Sequence, residues 1–332
     1  MKKFFETKYD DIISMENLLE AWRGFLKNKK KRKDVQEFER NFMANMLSVR
    51  DDLKNKNYRH SSYEAFNISD PKPRNIHKAR VRDRLLHHAI YKKLYPLFNN
   101  TFISDSYSCR FEKGTHKAMK RFEEFGRKVG RNNTKTCWVL KCDIRKFFAS
   151  VDHKILIEIL DEYLADKDVV WLLNTIIESF YLTRAGVGLP LGNLTSQLLV
   201  NIYMNQFDQF AKHKLKAKYY MRYADDFVFL SSDRDWLLEL VPKIAEFLDE
   251  RLKLSLHPDK IFIKTLASGV DFLGWVHFTD HKVLRTATKR KMFRKISDQG
   301  GKNESIQSYL GLLSHGNTQI LRNKILNLNM LK

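Results

Sequence analysis

Asp225 and Asp226 stand side by side between two apolar runs, Tyr219-Tyr220-Met221-Arg222-Tyr223-Ala224 and Phe227-Val228-Phe229-Leu230. Both runs read as strands, so the acidic pair falls at the tip of a tight hairpin. Two carboxylates about 4 Å apart repel by roughly 4 kcal/mol at an effective dielectric near 20. A hairpin that needed only a turn would use Asn-Gly or Asp-Gly instead. A divalent cation converts that repulsion into attraction. A third acid, Asp143, ends the apolar run Trp138-Val139-Leu140-Lys141-Cys142. Three carboxylates on neighbouring strands can hold two Mg²⁺ ions, or Mn²⁺ as a substitute, about 3.5–4 Å apart. The backbone carbonyl of Ile144 is a further oxygen ligand of the kind Mg²⁺ accepts. Such a pair of ions serves phosphoryl transfer. A bare Asp-Asp pair also fits a solvated turn, and Asp143 a strand-end cap; the strand context separates the readings.

The elements that must position these acids follow from periodicity. After the strand ending at Asp143, Leu156, Leu160, Val169, Leu173 and Ile177 recur at helical spacing. Gly186-Val187-Gly188-Leu189-Pro190-Leu191-Gly192 is a turn rich in breakers and leads into a helix marked by Leu194, Leu198 and Ile202. The hairpin follows, then a helix marked by Trp236, Leu240, Ile244 and Phe247, then a strand at Ile261-Phe262-Ile263. This βαββαβ order predicts an α+β protein with a ferredoxin-like sheet, in which the Asp143 strand lies beside the hairpin. Upstream, Met15–Leu26, Val35–Leu47 and Val81–Phe98 carry helical patterns, with a proline-containing break at residues 67–74. A basic stretch from Arg285 to Lys295, a Gly300-Gly301 break and a helix over Ser305–Leu313 complete the chain.

The 332 residues include 60 Lys+Arg against 39 Asp+Glu, a formal charge of +21. That excess points to a polyanionic partner, nucleic acid first and an anionic membrane surface second. The basic residues are spread along the chain, with a dense run from Lys27 to Lys33, as suits a groove that follows a phosphate backbone. No apolar run is long enough to span a bilayer, and the N-terminus lacks the apolar segment of a secretory signal. Cys109, Cys137 and Cys142 form no CxxC pair; Cys137 and Cys142 flank a strand and read as core thiols. A soluble protein of a reduced cytoplasm is expected.

Several boxes carry a resemblance. Tyr223-Ala224-Asp225-Asp226-Phe227 resembles the YxDD box of reverse transcriptases. Asp143-Ile144-Arg145-Lys146-Phe147-Phe148-Ala149-Ser150-Val151-Asp152-His153 is similar to the segment around their first catalytic aspartate. Gly188-Leu189-Pro190-Leu191-Gly192-Asn193 resembles their template-and-substrate loop, and Phe272-Leu273-Gly274-Trp275 their primer grip. Each box alone is weak, but the order and spacing match from about residue 68 onward. The resemblance implies a right-hand polymerase: an N-terminal helical basic extension at 1–66, fingers at 67–135 with part of 154–190, a palm at 136–280 and a short helical thumb at 281–332. It implies RNA-directed DNA synthesis from dNTPs on an RNA template, at the 3′-hydroxyl of a DNA or RNA primer.

Pro190-Leu191-Gly192-Asn193-Leu194-Thr195-Ser196-Gln197, Lys72-Pro73-Arg74, Arg82–Ala89, Asp105–Arg110 and Ser308–His315 resemble the enzymes of diversity-generating retroelements more narrowly. That likeness implies a prokaryotic or phage-encoded enzyme, a basic accessory protein and error-prone copying at template adenines. Group II intron enzymes usually carry Gln where this chain has Leu191, and continue into a maturase domain that is not expected here. Carried over by motif, Lys72 and Arg74 hold the incoming triphosphate, Phe148 excludes a ribose 2′-hydroxyl, and Leu191 and Gly192 stand at the nascent pair. Lys260 matches a lysine that protonates pyrophosphate, and reads equally as a surface lysine. If the strand runs on past Asp143, Phe147 and Phe148 fall on opposite faces. The competing readings are a retron, abortive-infection or group II intron-like reverse transcriptase, and a non-catalytic RNA-binding scaffold.

Overall fold

The computed structural model describes residues 5–69, 73–298 and 303–330. In chain order the first elements are α1 (Tyr9–Ile13), α2 (Met15–Phe25), α3 (Lys33–Arg40), α4 (Phe42–Lys54), β1 (Glu64–Ile68), β2 (Arg74–Lys78) and α5 (Val81–Asn99). Next come α6 (Thr115–Val129), β3 (Trp138–Asp143), α7 (Phe147–Ser150), α8 (His153–Asp161), α9 (Lys167–Glu178) and α10 (Leu194–Gln209). The remainder is β4 (Tyr220–Tyr223), β5 (Asp226–Ser231), α11 (Arg234–Leu252), β6 (Phe262–Thr265), β7 (Val270–Phe272), β8 (Trp275–His277), β9 (Lys282–Leu284), α12 (Thr286–Asp298), α13 (Asn303–Leu313) and α14 (Gln319–Met330). The fold is α+β, as expected. No helix of the described residues is long and apolar enough to cross a membrane. Lys72 and the Gly300-Gly301 break lie outside the described residues.

The chain divides into two compact units. The first comprises Met1–Ser104, Ile144–Lys214 and Ile244–Leu256. Its N-terminal helices bury Leu18, Ala21, Trp22 and Phe25 of α2 against Val35, Met46 and, from α5, Val81, Leu85 and Ala89. Each Leu, Val, Phe and Met side chain among them contributes about 1.5–3 kcal/mol on full burial. The single helix expected over Val35–Leu47 is two, because the backbone leaves the helical region at Asn41 (φ −119°, ψ 42°). The turn there brings Phe38 and Phe42 both onto the Trp22 ring, at 5.1 and 5.3 Å. Of the break expected at residues 67–74, residues 70–72 lie outside the described residues, while β1 pairs antiparallel with β2 and Ile68 stands opposite Arg74.

The second unit comprises Asp105–Asp143, Leu215–Lys243 and His257–Lys332. Its main sheet has the order β4-β5-β3-β6, so the first strand in sequence sits between the hairpin and the last strand. This is the arrangement the βαββαβ pattern predicts. Period-two alternation sorts the side chains. Val139, Met221, Val228 and Leu230 pack against Ala118, Phe122, Phe125 and Val129 of α6, which recur at helical spacing. Cys137 and Cys142 are buried, as expected of core thiols.

A second sheet, β7-β8-β9, was not evident from pattern, its strands being only three residues long. Its first turn is Leu273-Gly274, both with positive φ (53° and 86°). That is the two-residue turn whose twist matches a hairpin. Trp275 and Leu284 join Met292, Ile296, Ile306, Leu313 and Ile325 in a separate core. The last helix of that group, α14, follows the expected one over Ser305–Leu313.

His277 is buried in this unit beside the rings of Phe122 and Phe272. Burial lowers its imidazole to about 4, against the pull of Glu123. The unfolded chain takes up this proton near 6.5 and the folded chain only near 4. Its contribution is therefore whole above about pH 6.5 and is lost as pH falls. Urea unfolding should show His277→Leu losing about 2 kcal/mol less than the parent between pH 7 and pH 5. Equal losses would show that His277 does not carry the effect.

Candidate active site

Antiparallel pairing of β3 with β5 sets Asp143 directly opposite Asp226. Paired residues of this kind lie about 4.5–5.5 Å apart at Cα. The hairpin tip differs by one residue from expectation. Tyr223 pairs with Asp226, so the two-residue loop is Ala224-Asp225, and Asp226 is the first residue of β5. The reason is backbone conformation: Ala224 takes φ +57°, which turns the chain one position early. Asp143 and Asp226 thus share one face of the sheet, beyond the residues that α6 covers, with Asp225 next to them in the turn.

Two lysines answer this acidic cluster. Lys141, two residues before Asp143 and on the same face, places Nζ 3.2 Å from Asp226 Oδ2. Lys260 places Nζ 2.8 Å from Asp143 Oδ1. Burial raises the Asp226 carboxyl to about 6; Lys141 draws it down, and Asp143 and Asp225 push it up. Asp226 Oδ1 is buried without a hydrogen-bond partner. Among the described residues, no group of three or more His, Cys, Asp or Glu side chains is arranged to hold a metal ion. The donor set nevertheless fits a hard cation. It is all oxygen, it carries three carboxylates, and one buried carboxylate oxygen, Asp226 Oδ1, is orphaned. At Ile144, His257 N–H donates to the Asp143 carbonyl and Arg145 N–H to the Ser255 carbonyl. Those bonds leave the Ile144 carbonyl outside the pairing with Leu256.

Of the residues expected on the nucleotide side, Arg74, Phe148, Leu191 and Gly192 belong to the first unit. Phe148 is not on a strand: Lys146 at φ +46° ends the extended run, and Phe147–Ser150 is a short helix with Phe147 buried and Phe148 half-buried. The Phe148 carbonyl accepts from Leu189 N–H at 2.7 Å. The same loop is tied to β2, the strand that begins at Arg74. His77 N–H donates to the Leu191 carbonyl at 3.0 Å, while Asn193 accepts from Ala79 N–H and donates to the His77 carbonyl. Gly192 has φ +101°, and a Cβ there would meet Ile76 Cγ2 at 2.7 Å. Only glycine fits both constraints. In the second unit Phe272 and Trp275 are buried, and Leu273 and Gly274 form the turn between them.

Lys141, Asn193 and Arg222 escaped sequence reading. A lone lysine inside Val139-Leu140-Lys141-Cys142, and a lone arginine inside Tyr220-Met221-Arg222-Tyr223, were the available signals: a charge in a buried strand needs a partner.

With the geometry in place, the class follows: an α+β domain whose first strand and hairpin assemble acidic residues. Residues 68–277 match the family described as reverse transcriptase (RNA-dependent DNA polymerase). The chain belongs to that family of nucleotidyltransferases. It is 25% identical over 258 residues to Protein YkfC of Escherichia coli K12, covering 65% of each chain. It is 23% identical to the group II intron-encoded protein LtrA of Lactococcus lactis, over 63% of this chain and 44% of that one. The chain therefore spans less than two thirds of these curated relatives. Among solved structures, apo telomerase from Candida tropicalis, truncated from the C-terminal domain, superposes with a TM-score of 0.51 at 13% identity. That match covers 73% of this chain and 60% of the telomerase, and it speaks to fold alone.

Removing Lys141 should leave Asp226 without its cation. Lys141→Met is expected to cost about 2 kcal/mol or more in urea unfolding at pH 8, and Lys141→Met/Asp226→Asn to recover over half of it. No recovery in the double variant would mean that the pair is not the cause.

Proposed function

We propose that this chain is an RNA-directed DNA polymerase of the group II intron-like kind, which adds dNTPs to a primer 3′-hydroxyl on an RNA template. The cross-strand pairing of Asp143 with Asp226, with Asp225 in the adjoining turn, is the observation that carries the reading. Asp143, Asp225 and Asp226, with the Ile144 carbonyl, would hold Mg²⁺. Bound there, two such ions would lower the pKa of the attacking hydroxyl and offset charge on the triphosphate. The chain's own groups do the rest. Arg74 offers a planar fork to phosphate, with Lys72 as a point charge. Phe148 excludes a ribose 2′-hydroxyl, and Gly192 lets the backbone approach the nascent pair. Phe272–Trp275 holds the primer end. Lys260 Nζ lies 2.8 Å from Asp143 Oδ1, at the acidic cluster, where a donor to pyrophosphate would stand. Fingers, palm and thumb would correspond to 67–135, 136–280 and 281–332, after the extension at 1–66. The intron-encoded relatives support the group II-like assignment over a retroelement of the diversity-generating type.

One residue favours the second reading. Leu191 is apolar where intron enzymes carry an amide, and forms no polar contact with a base. A diversity-generating enzyme, acting with a basic accessory protein, would misincorporate mainly at template adenines.

Purified chain with Mg²⁺, a defined RNA template and an annealed primer should extend that primer with dNTPs. Asp143→Asn and Asp225→Asn should each lower the rate by at least about a hundredfold while RNA affinity stays within about threefold. A wild type that binds RNA but never extends a primer would favour a scaffold. Sequencing the products decides the second reading: errors concentrated at adenines and reduced by Leu191→Gln support it, and an unchanged spectrum rejects it.

A further inference from the structure

The turn that carries Asp225 is strained and held from behind. Ala224, at φ +57°, occupies a region that residues with a Cβ enter only at a cost. Glycine would relieve the cost and let the turn move. Instead the chain keeps alanine and buries an arginine beneath it. Arg222 is fully buried. In the register it pairs with Phe227, on the face of the sheet opposite Asp143 and Asp226. Its Nη1 donates to the Ala224 carbonyl at 3.1 Å and its Nη2 to Ser106 Oγ at 3.2 Å.

Ser106 is itself fixed. Arg222 N–H donates to the Asp105 carbonyl and Tyr107 N–H to the Arg222 carbonyl, both at 3.0 Å, so this segment lies along β4 as an added strand. The Asp105 carboxylate accepts from Arg121 Nε at 2.8 Å. The Ala224 carbonyl belongs to the same planar peptide as the Asp225 N–H. Holding that carbonyl sets the peptide plane, and with it the direction in which the Asp225 side chain leaves the turn.

We infer that Arg222 is a positioning residue, which through the Ala224 carbonyl fixes Asp225 in the orientation that binds the divalent cation. The assignment rests on the proposed polymerase reading, but it concerns cation binding and hairpin rigidity, which are measurable without turnover. Mn²⁺ binding to the full chain is followed by electron paramagnetic resonance, without primer or nucleotide. Amide hydrogen exchange at Asp225 and Asp226 is measured in parallel. Arg222→Lys and Arg222→Met should weaken Mn²⁺ binding by about 10- to 100-fold and lower kcat to a similar extent. KM for dNTP should stay within about threefold, because Arg222 does not touch substrate. Exchange at the turn should accelerate. Ser106→Ala should move every readout the same way by less, and it decides the matter if the Arg222 variants do not fold. Unchanged Mn²⁺ affinity and exchange in folded Arg222 variants, or in Ser106→Ala where those do not fold, would overturn the inference. Failure of the wild type to extend a primer, with these differences intact, would count against the polymerase reading and not against this one.

Discussion

Pairing β3 antiparallel to β5 in one particular register puts two like charges face to face, and the rest of the second unit is arranged around that fact. A slip of one residue would send Asp143 to the other face, among Leu140, Cys142 and Phe227, all buried and apolar. The register is protected by the apolar half of the same face. Val139, Val228 and Leu230 pack under α6, and that packing is lost if the strands shift. The hydrophobic contacts thus hold the carboxylates together against their mutual repulsion. Burial first, and then Asp143 and Asp225, make Asp226 bind its proton more readily than an ordinary carboxyl, although Lys141 draws the other way.

The first unit shows the same economy with uncharged groups. The loop from Gly188 to Asn193 has no regular structure of its own, yet its shape is set at both ends. Phe148 receives it through the Leu189 N–H, and β2 with the adjoining Ala79 receives it through Leu191 and both polar atoms of the Asn193 amide. Gly192 completes the arrangement because Ile76 fills the space a side chain would need. Phe148, Leu191, Gly192 and the strand that starts at Arg74 are remote in sequence, but a few backbone hydrogen bonds gather them.

Much of this was legible in the sequence where pattern is strong. The strand Trp138–Asp143, the hairpin strands and their order follow from apolar runs and the breakers between them. The acidic residues stood out because charge at the end of a buried strand is costly. Other features were hidden for physical reasons. Alanine seldom turns a hairpin at positive φ, so Asp226 read as part of the tip. Asn41 interrupts an apolar pattern that continues across it. Apolar periodicity, by contrast, carried the helical reading across Pro96 and Pro242, which lie inside helices that proline alone would end. Strands as short as β7, β8 and β9 leave too few residues for alternation to register. A lone lysine or arginine in a strand looks like an exposed position until the burial of Lys141 and Arg222 is known.

The proposed polymerase requires Asp143, Asp225 and Asp226 to bind divalent cations together. Anomalous diffraction from crystals of the chain bound to primer, template and nucleotide, grown with Mn²⁺, tests this most directly. A pair of Mn²⁺ ions about 4 Å apart, ligated by Asp143 and Asp225, is the predicted result. Nucleotide bound in the crystal with no Mn²⁺ on either carboxylate would contradict it.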